Sequence, residues 1–245
     1  MGLRTGGFLA FKDQVIFEYL DGPGDSVITS NTDDLIAGGN AKGITSHRVT
    51  MKAGRVNANN NRIAIMDAAR DIEGRQFRLY LQGHGDWQMT TLGGRPAITV
   101  AENVATLGLK GCQVISILGC KLALSPKANG TGQGTKSFAK DFHSRISSGG
   151  TLEMTKHIPV FARTKNVSIY GHEVAQESAE LHAFAKLHGL PLSERLKKVG
   201  GKDTESRESK KVYYWQGKTQ MMTDASHADD VVAGLIEFSD YGEEA

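Results

Sequence analysis

Two short runs constrain this chain more than anything else in it: FRLYLQGHGD at 77–86 and VISILGC at 114–120. Each is an apolar, β-favouring stretch that stops at a glycine and then presents one reactive side chain, His84 in the first and Cys120 in the second. The segment between them exceeds the roughly dozen residues that a parallel crossover requires, so the runs read as neighbouring parallel strands. Both side chains then emerge at the carboxyl edge of one sheet, where open α/β folds place their sites.

The residue types suit one chemistry. A thiol becomes an effective nucleophile when a neighbouring imidazole takes its proton, and the oxyanion formed on a carbonyl substrate needs backbone N–H donors close by. Gly85 and the amide of Cys120 are the expected donors, with glycine admitting a close approach that a Cβ would block. Either reactive residue alone would read as structural; the pair reads as a Cys/His dyad. Cys112, the only other cysteine, lies about 26 Å from Cys120 along an extended strand, too far for a disulfide. It reads as a packed core residue, and two thiols without a ligand cluster give no structural zinc or other metal site.

A chain of 245 residues with 39% hydrophobic residues can bury one substantial core, so one main domain with appendages is expected. A formal charge of +2 gives no whole-protein case for nucleic acid as a partner. No run is long enough for a transmembrane segment, and MGLRTGGFLA at the start lacks the apolar core of a signal peptide.

Along the chain, 1–45 reads as an N-terminal extension or arm. A strand-like 11–20 is broken by DGPGD at 21–25, and 31–43 is polar and glycine-rich. A first sheet strand is expected at 47–52. Ile63, Met66, Ala69 and Ile72 predict an amphipathic helix over 61–73. Thr99 with Glu102 forms a capping-box pattern for a helix ending at Gly108. Thr135 opens a helix with Phe138, Phe142 and Ile146 on one face; 158–162 and 167–170 are strand-like, and 173–188 reads as a helix. Asp86 and Trp87, directly after the histidine, could line a substrate cleft, with Trp87 equally readable as a packing anchor, and His172 is a weaker candidate.

Charge is segregated near the end. Residues 195–218 carry eight Lys and Arg against three acidic residues, a local +5, around the aromatic run VYYW at 212–215. From Asp224 onward there are seven acidic residues and no Lys or Arg, giving an acidic C-terminal tail over 223–245. The contrast suggests a basic surface for an anion, to which Arg55, Arg62 and Arg78 could add.

These features resemble a known group. The order of apolar strand, His-Gly, crossover helix, apolar strand and Gly-Cys is similar to that of the caspase-like cysteine peptidases. LQGHGD at 81–86 and ISILGCKL at 115–122 look most like the catalytic segments of the autoprocessing cysteine protease domains of large bacterial toxins. VSIYGHEV at 167–174 resembles the following strand, and the basic, aromatic 207–218 resembles a terminal β-flap. The likeness implies a three-layer α/β/α sandwich around a mostly parallel sheet. The peptidase domain would span 46–222 and end in a C-terminal β-hairpin flap over about 195–222.

The resemblance further implies a thiol endopeptidase acting through His84 and Cys120, with no obligatory third residue and frequent cleavage after leucine. Its activator would be inositol hexakisphosphate, held by Lys197, Lys198, Lys202, Arg207, Lys210, Lys211 and Lys218. Arg suits bidentate phosphate contacts, and Lys acts as a point charge. Partners would be a protein or peptide substrate, including the chain itself, with Leu9-Ala10 as one bond that fits. The toxin domains sit inside far longer chains, so a stand-alone effector, secreted or translocated into a host cell without a classical signal peptide, is expected here. Acyl transfer by the same thiol to an acceptor other than water is the enzymatic alternative. A catalytically idle module that binds inositol phosphates or another anion is the non-enzymatic one.

Overall fold

The computed structural model describes residues 11–22, 25–86, 88–125, 136–147, 155–164 and 210–224. It is a mixed α/β fold built on a seven-stranded, mostly parallel sheet. In chain order the elements are β1 (Asp13–Tyr19), α1 (Ser26–Asn40), β2 (Thr45–Met51), α2 (Ala58–Asp71), β3 (Phe77–Gly83), a small hairpin of β4 (Thr91–Leu92) and β5 (Arg95–Pro96), α3 (Ala97–Leu107), β6 (Cys112–Leu118), α4 (Phe138–Ile146), β7 (Val160–Arg163), β8 (Lys210–Gln216) and β9 (Thr219–Asp224). The strand order is β2-β1-β3-β6-β7-β8-β9, parallel as far as β7 and antiparallel over the last two strands.

Alternation along β1 explains the layers. Val15, Phe17 and Tyr19 join a core shared with Ile65 and Ala68 of α2, Val100 and Val104 of α3 and Phe138 and Phe142 of α4. Gln14 and Glu18 point to the opposite face. There Gln14 Nε2 donates to Leu35 O of α1 at 3.0 Å, and from β3 Gln82 Nε2 donates to Ile28 O at 3.2 Å. Glu18, also buried, is closed off by Arg48 in a two-point ion pair at 2.7 and 2.9 Å. Helices therefore cover both faces, and Gln14, Glu18 and Gln82 are tolerated on the α1 side because each of the three has a partner.

Several expectations need correction. Residues 11–45 are not an arm: β1 is hydrogen-bonded on both sides, to β2 and to β3, and α1 packs on the same sheet, so no domain boundary falls at 45. Helix α2 buries Ile65, Ala68 and Ile72, whereas Ile63 and Met66 face outward. Both sets have helical spacing, and the sheet selects the one flanked by the small Ala64 and Ala69, which pack beside it. Thr99 caps nothing: α3 starts at Ala97 with Pro96 as its N-cap, where proline's fixed φ already suits the entry. Ser137, not Thr135, caps α4, its hydroxyl accepting from Lys140 N–H at 3.2 Å. The strand-like 167–170, the helix at 173–188 and the tail beyond Asp224 lie outside the described residues.

The β8–β9 hairpin is part of the main sheet, pairing with β7 through Val160 and Tyr213. It is bound to α4 by Trp215 Nε1 donating to Ser147 Oγ at 3.0 Å and by Gln220 Nε2, which contacts His143 Nδ1 at 2.8 Å and donates to Lys140 O at 2.9 Å. His143 is fully buried and stacked on Trp215 at 5.3 Å, and its Nε2 has no hydrogen-bond partner. Burial lowers its pKa from 6.5 to about 4. The unfolded chain therefore takes up a proton below pH 6.5 that the folded one refuses until about pH 4, and stability falls as pH drops through that window. Urea unfolding at pH 7.5 and pH 4.5 should show His143→Leu relieved of about 2–3 kcal/mol of the wild-type acid loss. An identical acid loss in the two proteins would refute this.

Candidate active site

The sheet's connectivity creates the site before any side chain is considered. From β1 the chain turns through α1 to β2 on one flank; from β3 it turns through α3 to β6 on the other. The loops leaving β1 and β3 thus diverge at their carboxyl ends, the crevice that doubly wound sheets use for ligands. Asp25 lies on the first loop and His84 on the second.

Register then sets His84 beside Cys120. Gln82 of β3 pairs with Leu118 of β6, and each reactive residue follows two positions later. The backbones converge there: a Cβ on Gly85 would be driven into the Cys120 carbonyl oxygen and would meet its amide nitrogen at 3.1 Å. The glycine after the histidine is thus needed for close approach. Cys120 is half-buried and His84 is 44% exposed in its side chain. Cys112 is wholly buried on β6, and burial pushes its thiol up to about 12, which leaves it inert, as its sequence position implied.

The chain after Cys120 is held tightly. Lys121 adopts a left-handed conformation, φ 58°, which costs a non-glycine residue on the order of 1 kcal/mol. Three bonds maintain the bend. Ala139 N–H at the start of α4 donates to Leu122 O at 3.0 Å, Ala123 N–H donates to Arg163 O of β7 at 2.8 Å, and the buried Tyr213 hydroxyl of β8 donates to Ala123 O at 3.2 Å. The loop after Cys120 is thereby tied to α4, to β7 and to the C-terminal hairpin.

Asp25 is the site residue that sequence reasoning missed. Its Oδ1 lies 3.1 Å from His84 Nε2 and also accepts from Ile28 N–H at 3.3 Å, so one carboxylate caps α1 and orients the imidazole. The side chain is only 9% exposed. An aspartate just ahead of the run SVI at 26–28, at the end of an apolar strand, is an N-cap signature that was available but was hidden by the DGPGD turn pattern.

Other expected residues fall elsewhere. The Asp86 carboxylate turns back into its own loop, accepting from the N–H groups of Thr90 and Thr91 at 2.6 and 3.0 Å and from Thr90 Oγ1 at 2.8 Å, so its oxygens serve to hold that loop. Burial alone would raise its pKa, but those hydrogen bonds outweigh it and hold the carboxyl below its ordinary value. Arg78 is no part of a basic surface: its guanidinium is largely buried over the Tyr80 ring at 4.2 Å, with Phe11 at 5.0 Å, and that burial lowers its pKa. Of the expected anion ligands, Lys210 and Lys211 occupy adjacent positions at the start of β8 and Lys218 follows Gly217 in the hairpin turn. Lys197, Lys198, Lys202 and Arg207, with Trp87 and His172, lie outside the described residues. Among the described residues no group of three or more His, Cys, Asp or Glu is arranged for a metal, and no helix is long and apolar enough to cross a membrane.

Compared with known protein families and with curated proteins, the chain matches none.

Asp25 has two separable duties. Asp25→Asn keeps the helix cap, whereas Asp25→Ala should cost about 1 kcal/mol in denaturant unfolding. Both should slow the reaction of Cys120 with a small alkylating agent by at least tenfold. If Asp25→Asn reacts at the wild-type rate, the carboxylate does not serve His84.

Proposed function

We propose that this chain is a cysteine endopeptidase of caspase-like type. The observation that carries the reading is the placement of His84 and Cys120 level with each other beyond paired strand ends, with the Asp25 carboxylate 3.1 Å from His84 Nε2. With Nε2 engaged by that carboxylate, Nδ1 is the nitrogen left to act as the base. His84 takes the Cys120 proton; the thiolate adds to the peptide carbonyl carbon, and the oxyanion is met by the backbone N–H groups of Gly85 and Cys120. Collapse breaks the C–N bond as His84 returns the proton to the leaving amine. Water, activated by the same imidazole, then hydrolyses the thioester and frees the thiol.

The caspase-like assignment rests on the two catalytic segments and on a parallel sheet that ends in an antiparallel hairpin. Activation by inositol hexakisphosphate is part of the same proposal. Its support is the +5 charge of 195–218 together with the Tyr213 hydroxyl contact from that hairpin to the nucleophile's loop. An effector delivered to a host cell, with the inositol phosphate as its arrival signal, fits this chemistry.

Cleavage of its own Leu9-Ala10 bond would have to occur between molecules. Phe11, covalently next to Ala10, is buried at the amino edge of β1, and the 7 residues of that strand, at about 3.3 Å rise each, separate it from the carboxyl edge. Peptide-library digestion read by mass spectrometry should show cleavage by the wild type, faster with inositol hexakisphosphate, and none by Cys120→Ala or His84→Ala. Cleavage that survives either substitution would refute the dyad. Trimming at Leu9-Ala10 should rise with protein concentration, and a concentration-independent half-time would show that it occurs within one molecule.

A further inference from the structure

We infer that Arg95, some distance from the reacting atoms, is a positioning residue for His84, acting through the β4–β5 hairpin; this rests on the peptidase reading above. Arg95 is the first residue of β5, and its guanidinium faces three backbone carbonyls from three parts of the chain. Nη2 donates to Met51 O at the end of β2 at 2.8 Å. Nη1 donates to Gly93 O at 2.5 Å and, more weakly, to Leu20 O just past β1 at 3.4 Å. The cation also lies 5.2 Å from the centroid of the buried Tyr19 ring, the last residue of β1. Burial lowers the guanidinium's pKa, with Tyr19 and Asp21 acting the other way. A planar fork with five donors meets such a set of carbonyls in a way that an ammonium cannot.

What Arg95 fastens is the hairpin that holds the two halves of the site. Gly93 N–H, in the turn between β4 and β5, donates to His84 O at 2.7 Å, and Leu92 forms an isolated antiparallel bridge with Gly85. The fully buried Leu92 side chain sits where a Cβ on Gly119 would lie, at 2.8 Å. The hairpin is therefore bonded to the backbone directly after the His84 side chain, at the His84 carbonyl and at Gly85, and wedged against the residue before Cys120. Arg95 anchors it to the ends of β1 and β2, which belong to the rigid sheet. Two-residue strands have little stability of their own, so that anchor sets where the hairpin, and with it the imidazole, comes to rest.

The test uses the full chain and the rate at which Cys120 reacts with iodoacetamide, followed by intact mass, in wild type, Arg95→Met, Arg95→Lys, His84→Ala and Arg95→Met/His84→Ala. Methionine keeps much of the apolar stem without the fork. Arg95→Met should melt as one cooperative unit and react at least tenfold more slowly, with Arg95→Lys in between. In the His84→Ala background the second change should add less than twofold, because Arg95 acts through the imidazole. Added guanidinium at low millimolar concentration should restore part of the Arg95→Met rate and none of the double variant's. Equal slowing by Arg95→Met with and without His84 would overturn the positioning role and leave only a loss of packing. A wild-type rate in Arg95→Met would overturn it outright. If Arg95→Met does not fold, Arg95→Lys carries the same comparison in both backgrounds. A His84→Ala variant as fast as wild type would instead sink the dyad, so the two failures are distinct.

Discussion

The parallel pairing of β3 with β6 is the constraint on which the rest depends. One register, Gln82 opposite Leu118, decides that two residues far apart in sequence leave the sheet at the same height. A slip of one residue would exchange the faces of every side chain on one strand and remove Leu79, Leu81, Ile115 or Ile117 from the core, so burial itself enforces the alignment. The site thus inherits its precision from hydrophobic packing below it. Glycine at position 85 then allows the backbones to close to a distance that no other residue would permit.

Around that axis the molecule spends polar groups where it needs orientation. Asp25 caps the start of one helix and holds one imidazole; Arg95 gathers three carbonyls; Tyr213 reaches from the hairpin to the loop after Cys120. Each sits in a half-buried or buried setting where leaving it unpartnered would cost about 1–3 kcal/mol, so these contacts hold particular groups in place more than they add net stability. The left-handed Lys121 shows the same logic, with a strained bend retained because three flanking bonds over-determine it.

Legibility in the sequence followed the range of the interactions. β3 and β6 were readable because a run such as LYL or VISI is β-favouring and apolar in itself, and the glycine stops are local signals. Helix α1 was not: SVITSNTDDLIAGGN is poor in helix formers, and it is held by tertiary bonds from Gln14 and Gln82. Gly39 belongs to that arrangement, since a Cβ there would collide with the Gln14 side chain. Once α1 is missed, β1 looks like a stray arm and Asp25 like a turn residue, because its partner His84 lies 59 positions away. Arg95 escaped notice for the same reason, its acceptors being backbone carbonyls that carry no sequence signature.

The central claim is that Cys120 and His84 form one reacting unit built by the sheet. The most direct test is treatment of the full chain with a peptide acyloxymethyl ketone bearing leucine at the reactive end, followed by intact-mass and peptide mapping. The account predicts a single thioether on Cys120, none on the buried Cys112, and its loss in His84→Ala. Labelling of His84→Ala at the wild-type rate, or an adduct on neither cysteine with inositol hexakisphosphate present, would contradict it.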